Sequence, residues 1–221
     1  MSVDIRVEDN PARACAELLA AAVGHVVLTG GATPERAYEL AASLRPDWSE
    51  AEVWWSDERC VPPDDERSNY GMTERALLDR LTTPPRAVHR IRGEDGAGEA
   101  ARRYDEELRG VVLDLVLVGI GPDGHTASLF PRAPALAERK RRAVAAEAGL
   151  EPFVDRVTMT IPTLESAPVV VFLATGPDKA EAVAHAFGDR RNENTPASLV
   201  RSKNGRTVAI LDREAAWKLS P

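Results

Sequence analysis

The chain has little cysteine, few aromatic residues and no long apolar run, and each shortage excludes something. Its two cysteines, Cys15 and Cys60, cannot build a disulfide framework or a four-cysteine zinc site. They read as reduced thiols of a cytoplasmic protein, with Cys60 a packing residue rather than a nucleophile. There is no H-E-x-x-H and no Cys/His cluster, so no dedicated metal site is expected. There is no G-x-S-x-G elbow of a serine hydrolase. The glycine spacings of the common nucleotide loops are missing as well. Aromatics make up only 5% of the residues, so the core must come from Val, Leu, Ile and Ala. The most apolar stretch, Val111–Gly121, contains Asp114 and falls far short of the roughly 20 residues of a membrane span. The N-terminus shows no basic region followed by an apolar run, so no signal peptide is expected.

Positive charge is in the minority, with 28 Lys and Arg against 35 Asp and Glu and a net charge of −7. That argues against a nucleic-acid binder, which needs a broad basic surface. It leaves room for a small anion held by a few local cations. The basic run Arg139-Lys140-Arg141-Arg142 is short and isolated, and reads as a solvated face or loop.

The sequence does supply an alternation. Five apolar runs have strand length: Val26–Leu28, Val53–Trp55, Leu115–Val118, Val169–Leu173 and Val208–Leu211. Their continuous apolar character suits strands covered on both faces, as in a parallel sheet. Helical patterns lie between them, at 13–23, 35–44, 69–81, 99–108 and 178–187. Asn10-Pro11, Thr33-Pro34 and Ser68 give starting signals for the first three. The pattern predicts a doubly wound α/β fold, with residues 1–221 as one domain.

In such folds ligands bind beyond the carboxyl ends of the strands, and four polar clusters stand there. Thr29-Gly30-Gly31-Ala32-Thr33-Pro34 is either a tight turn with a capped helix or a phosphate cradle built from glycines and helix-start N–H groups. Ser56-Asp57-Glu58-Arg59 fits a solvated Asp–Arg loop or a ligand-facing group with a forked Arg contact. The run Gly119-Ile120-Gly121-Pro122-Asp123-Gly124-His125-Thr126-Ala127-Ser128-Leu129-Phe130-Pro131 sets a histidine in a glycine-rich loop after the most apolar strand. His125 suits proton transfer there, and Asp123 is placed to orient its ring or to touch substrate. In the fourth cluster, Lys179 of Thr175-Gly176-Pro177-Asp178-Lys179 sits where a helix dipole does not favour it; a ligand anion or plain exposure would explain that. Arg201 is a further basic candidate of the same kind.

These motifs, with Ser68-Asn69-Tyr70, Arg156-Val157-Thr158-Met159-Thr160 and Pro196-Ala197-Ser198, together resemble the 6-phosphogluconolactonases over about residues 26–219. The resemblance implies a modified Rossmann-like fold shared with glucosamine-6-phosphate deaminases. It implies hydrolysis of 6-phosphoglucono-δ-lactone without metal or other cofactor, by a monomer or homodimer. It places His125 as general base, Asp123 and Asp57 as active-site carboxylates, and Gly30, Gly31, Thr33, Arg59, Lys179 and Arg201 as the anion-binding group. Two alternatives are a deaminase-isomerase on the same fold and a non-catalytic sugar-phosphate sensor. The deaminase pattern continues from Asp-Gly-His with Ile-Ala-Phe-Asn-Glu, whereas this chain has Thr126-Ala127-Ser128-Leu129-Phe130. The sensor would need a DNA-binding segment, for which the single helix before Val26 leaves no pattern.

Overall fold

The computed structural model describes residues 3–188 and 190–219. In chain order the elements are β1 (Val3–Val7), α1 (Pro11–Ala20), β2 (Gly24–Leu28), α2 (Ala32–Leu44), β3 (Ala51–Trp55), β4 (Asp57–Arg59) and α3 (Asn69–Ala76). They continue with β5 (Ala87–His89), α4 (Ala97–Glu107), β6 (Leu115–Gly119), β7 (Ala143–Ala146), β8 (Arg156–Met159) and α5 (Ile161–Leu164). The last are β9 (Val169–Ala174), α6 (Ala180–Phe187), β10 (Arg206–Leu211) and α7 (Arg213–Ala216).

Seven strands form one parallel sheet in the order β1-β10-β9-β6-β2-β3-β5. All five expected strands lie in it, and four of them form its centre with β10 next outward. Leu115, Val116, Leu117 and Val118 are consecutive and all buried, so both faces of β6 are covered. From β2 the chain winds outward through β3 to β5, and from β6 it winds the other way through β9 to β10. The order therefore reverses between β2 and β6, and a crevice opens at the carboxyl ends of those two strands.

Two strands of this sheet escape the sequence pattern. β1 alternates apolar and polar residues on an edge and stays partly exposed, and β5 has only three residues. A second, antiparallel sheet of three strands, β4-β8-β7, is not anticipated at all. Its β4 lies in the charged segment that reads from sequence as either a solvated loop or a ligand-facing group, with no strand expected there.

Helix starts are mostly as expected. Asn10 Oδ1 accepts from Arg13 N at 3.0 Å, and Ser68 Oγ accepts from Gly71 N at 3.0 Å. Thr33 is the exception, because α2 begins earlier, after Gly31, with no side-chain cap. Two buried tyrosines pin the strand ends beside the crevice. Tyr38 Oη donates to Thr29 O (2.7 Å) and accepts from Thr29 N (2.9 Å). Tyr104 Oη makes the same pair of bonds with Trp55, both at 2.9 Å. Each satisfies a carbonyl and an amide that leave the ladder where the strand stops. Among the described residues no helix is long and apolar enough to cross a membrane.

Candidate active site

A cleft of about 410 Å³ lies at the reversal point, lined by the ends of β2, β6 and β9 and by the small sheet. It takes in Gly30, Gly31, Thr33, Asp57, Arg59, His125 and Lys179 from four distant stretches of chain.

The floor on one side is the turn from β2 to α2. Gly31 has φ 113°, which a side chain would strain. A Cβ on Gly30 would lie 1.9 Å from Asn69 Oδ1, so only glycine lets α3 approach. The first turn of α2, a 13-residue helix, presents unpaired N–H groups and the positive end of its dipole to the cleft. Thr33 Oγ1 and Thr175 Oγ1 are 2.7 Å apart, which ties this turn to the one after β9. Lys179 lines the same end, and its Nζ is 3.0 Å from exposed Asp178.

The opposite wall is the small sheet. Alternation along β4 sends Asp57 and Arg59 to the cleft and Glu58 to the other face. Glu58 is 2% exposed and accepts from the N–H groups of Arg59, Asn69 and Tyr70 and from Ser68 Oγ, at 2.7–3.0 Å. Burial pushes its carboxyl up against the pull of those four donors. Glu58 thus fixes the start of α3 and does not reach the ligand space. Asp57 accepts from Ser128 Oγ (2.6 Å) and Ser56 Oγ (3.1 Å), which aims its carboxylate at the cleft edge.

His125 comes from the loop after β6. Its Nδ1 lies 2.5 Å from Asp123 Oδ1, and the same oxygen accepts the His125 backbone N–H at 3.0 Å. Burial works to raise the Asp123 carboxyl, but the His125 contact outweighs it and holds the group below its ordinary value. With Nδ1–H donated to Asp123, the Nε2 lone pair is left without a protein partner among the described residues. The Phe130 ring packs at 4.7 Å from the imidazole. A Cβ on Gly121 would fall 2.0 Å from Nδ1, so this glycine is what lets the ring sit there. The loop also holds Ala127 at φ 49°, a left-handed backbone uncommon for alanine, at the cleft wall.

Arg201 is the expected site residue that the structure does not bring to the cleft. Its guanidinium is buried, donating to the carbonyls of Ala197 (2.9 Å), Val200 (2.6 Å) and Ala186. It lies over the rings of Phe172 and Phe187 at 5.7 and 5.1 Å. Burial, with the charge of Arg191 adding to it, pulls its pKa down to about 10. Both terminal nitrogens bond the frame and the residue does not line the cleft, which makes it a structural arginine. Cys60 behaves as expected of a packing residue, since burial and the nearby Asp155 and Glu58 push its thiol up to about 11. The 190–197 segment braces the histidine loop: Arg132 Nε donates to Asn194 Oδ1 at 2.7 Å, and Ala197 N donates to Gly124 O at 2.9 Å.

Two cleft residues were not singled out from the sequence as site residues. Asn69 donates its amide to Asp57 O at 2.9 Å and backs the glycine turn. Arg156, on β8, faces the cleft beside Arg59. The polar–apolar alternation of Arg156-Val157-Thr158 is the signal that would have found β8.

Sheet, glycine turn and cleft define a Rossmann-like α/β protein with a pocket at the carboxyl edge of its strands, lined by Arg59, Arg156 and Lys179. Comparison with known proteins narrows this further. The family described as glucosamine-6-phosphate isomerases/6-phosphogluconolactonase matches residues 6–209, and the chain belongs to it. It is 34% identical over 200 residues to the 6-phosphogluconolactonase of Haemophilus influenzae, covering 86% of this chain and 85% of that one. It is 37% identical over 205 residues to that of Homo sapiens, covering 87% and 80%. The crystal structure of 6-phosphogluconolactonase from Leishmania guyanensis superposes with a TM-score of 0.87 over all of both chains, at 26% identity. A monomeric glucosamine-6-phosphate deaminase shares the fold, with a TM-score of 0.85 over 99% of this chain and all of that one, at 22% identity.

Proposed function

We propose that this protein hydrolyses 6-phospho-D-glucono-1,5-lactone to 6-phospho-D-gluconate, the second step of the oxidative pentose phosphate pathway, in the cytoplasm. One observation carries the reading: His125, held by Asp123 and with Nε2 unpartnered among the described residues, borders a cleft that also takes in the glycine turn and Lys179 as an anion cradle.

A lactone carbonyl is already electrophilic, so a bound water and a positioned base suffice. Neutral His125 takes a proton from water at Nε2 as the water oxygen bonds to C1. The carbonyl electron pair moves onto its oxygen, and Asp123 stabilises the imidazolium through Nδ1–H. The tetrahedral intermediate then reforms C=O as the bond from C1 to the ring oxygen breaks, and the imidazolium returns the proton to that oxygen. The phosphate, remote from C1, is held by the α2 start, Thr33 and Lys179, and its binding energy positions the lactone. Asp57 and Arg59 contact the sugar from the wall formed by the small sheet.

The test is acid release from freshly prepared lactone, measured against its spontaneous opening. Acceleration proportional to protein concentration supports the reading, and a rate equal to the blank refutes it. Ammonia release from glucosamine 6-phosphate is the control for the deaminase reaction. It should be undetectable, since Ser128 and Leu129 bind or pack inward and Phe130 packs at a tilt against the imidazole, where the deaminase pattern carries an acidic residue.

A further inference from the structure

We propose that Arg156 is a catalytic residue that, paired with Arg59, binds the oxygen of C1 as it becomes an oxyanion and then a carboxylate. This rests on the lactonase reading and adds a residue and a role to it.

Antiparallel pairing sets Arg156 directly opposite Arg59 on the β4–β8 ladder. Directly opposed residues project to the same face, and i,i+2 residues along a strand share it. Asp57, Arg59, Arg156 and Thr158 therefore form one face, and Asp57, Arg59 and Arg156 all border the cleft. Two cations directly opposite one another destabilise a sheet unless an anion joins them. Burial first and the charge of Arg59 second depress the pKa of Arg156. The strain is sharpened at Arg59, whose Nε is buried without a hydrogen-bond partner among the described residues. An orphaned buried donor calls for a partner, and a ligand oxygen in the cleft would supply one.

Arg156 is also rigid. It is only 4% exposed, and its Nε donates to Val154 O (3.1 Å) and one terminal nitrogen to Pro152 O (2.9 Å). The guanidinium stacks at 5.9 Å from the Phe130 ring, which packs on His125. Two of its three nitrogens are thus fixed by the frame. Nη1 has no protein partner among the described residues and is the donor left for the cleft. A donor held in place before the reaction is what stabilises charge that appears only in the transition state. Phe130 touches both the base and this arginine, so the C1 end lies between them. The cradle at Gly31, Thr33 and Lys179 is left to the phosphate.

The test compares two ligands by calorimetry, 6-phosphogluconate and the hexitol 6-phosphate that lacks its carboxylate. Wild type should bind the carboxylate ligand more tightly. Arg156→Gln should weaken 6-phosphogluconate about 10–100-fold, the range of a charge-assisted contact, and leave the hexitol phosphate within about twofold. Lys179→Ala should weaken both. Equal loss of both ligands in Arg156→Gln, no loss of either, or a wild type without preference overturns the proposal. If Arg156→Gln does not fold, Arg156→Lys is judged by the same ratio, and failure of both to fold assigns Arg156 to the frame and overturns the proposal. A wild type that neither binds these ligands nor speeds lactone opening refutes the lactonase reading instead.

Discussion

Gly121→Ala is a one-carbon test of how tightly the base is placed. The new Cβ would fall 2.0 Å from His125 Nδ1, where ordinary van der Waals contact begins at about 3.4 Å. Gly121 N donates to His125 O at 2.8 Å, which closes the loop on itself, so the backbone has little room to give and the ring must retreat. A retreat of about 1.5 Å takes Nδ1 out of bonding range of Asp123 Oδ1, now 2.5 Å away. Losing a hydrogen bond to a charged group costs about 1.5–3 kcal/mol. Misplacing a catalytic group by about 1 Å costs on the order of 10²-fold in rate. The variant should therefore lose about 10²-fold in kcat for the lactone, with KM and inhibition by 6-phosphogluconate changed less than about threefold. Steady-state kinetics corrected for spontaneous opening give both numbers. A variant with wild-type kcat would refute the claim that the Asp123–His125 contact sets the rate.

Arg59→Ala and Lys179→Ala should each raise KM by about tenfold or more, whereas neutralising Arg139, Lys140 and Arg141 should leave KM within about twofold, as measured on the same assay. Arg201→Met should act on stability, lowering the unfolding free energy by about 2–4 kcal/mol in urea by leaving buried carbonyls unpaired; a raised KM at unchanged stability would return it to the anion site. Cys60→Ser should keep wild-type kcat, because a thiol titrating near 11 is protonated at neutral pH, and loss of turnover would show otherwise.

The parallel sheet was legible because its central strands are covered on both faces and so are continuously apolar. Runs such as Leu115–Val118 announce themselves, and the carboxyl ends of such strands were the expected place for a ligand; the reversal between β2 and β6, which fixes where the cleft opens, is seen only in the strand order of the structure. The glycine turn and the histidine loop were legible for the same reason, since each follows such a run. The small sheet was not. Asp57–Arg59 carries three charges in a row, and it becomes a strand only because β8, far along the chain, pairs with it. That long-range pairing is why Arg156, although part of a recognised motif, was not assigned to the site while its partner Arg59 was. Arg201 misled in the opposite sense. A lone basic residue after an apolar run looks the same in sequence whether it faces a ligand or caps carbonyls, and burial alone decides.

The central claim is that His125 activates water for opening of the lactone. Initial rates of acid release by wild type and His125→Ala, at equal protein concentration and after subtraction of the spontaneous rate, test it most directly. General-base catalysis contributes about 10²–10⁴-fold. The account predicts a fall in kcat of that size with KM within about threefold, because the anion cradle is untouched. A His125→Ala enzyme with kcat within about twofold of wild type would contradict it.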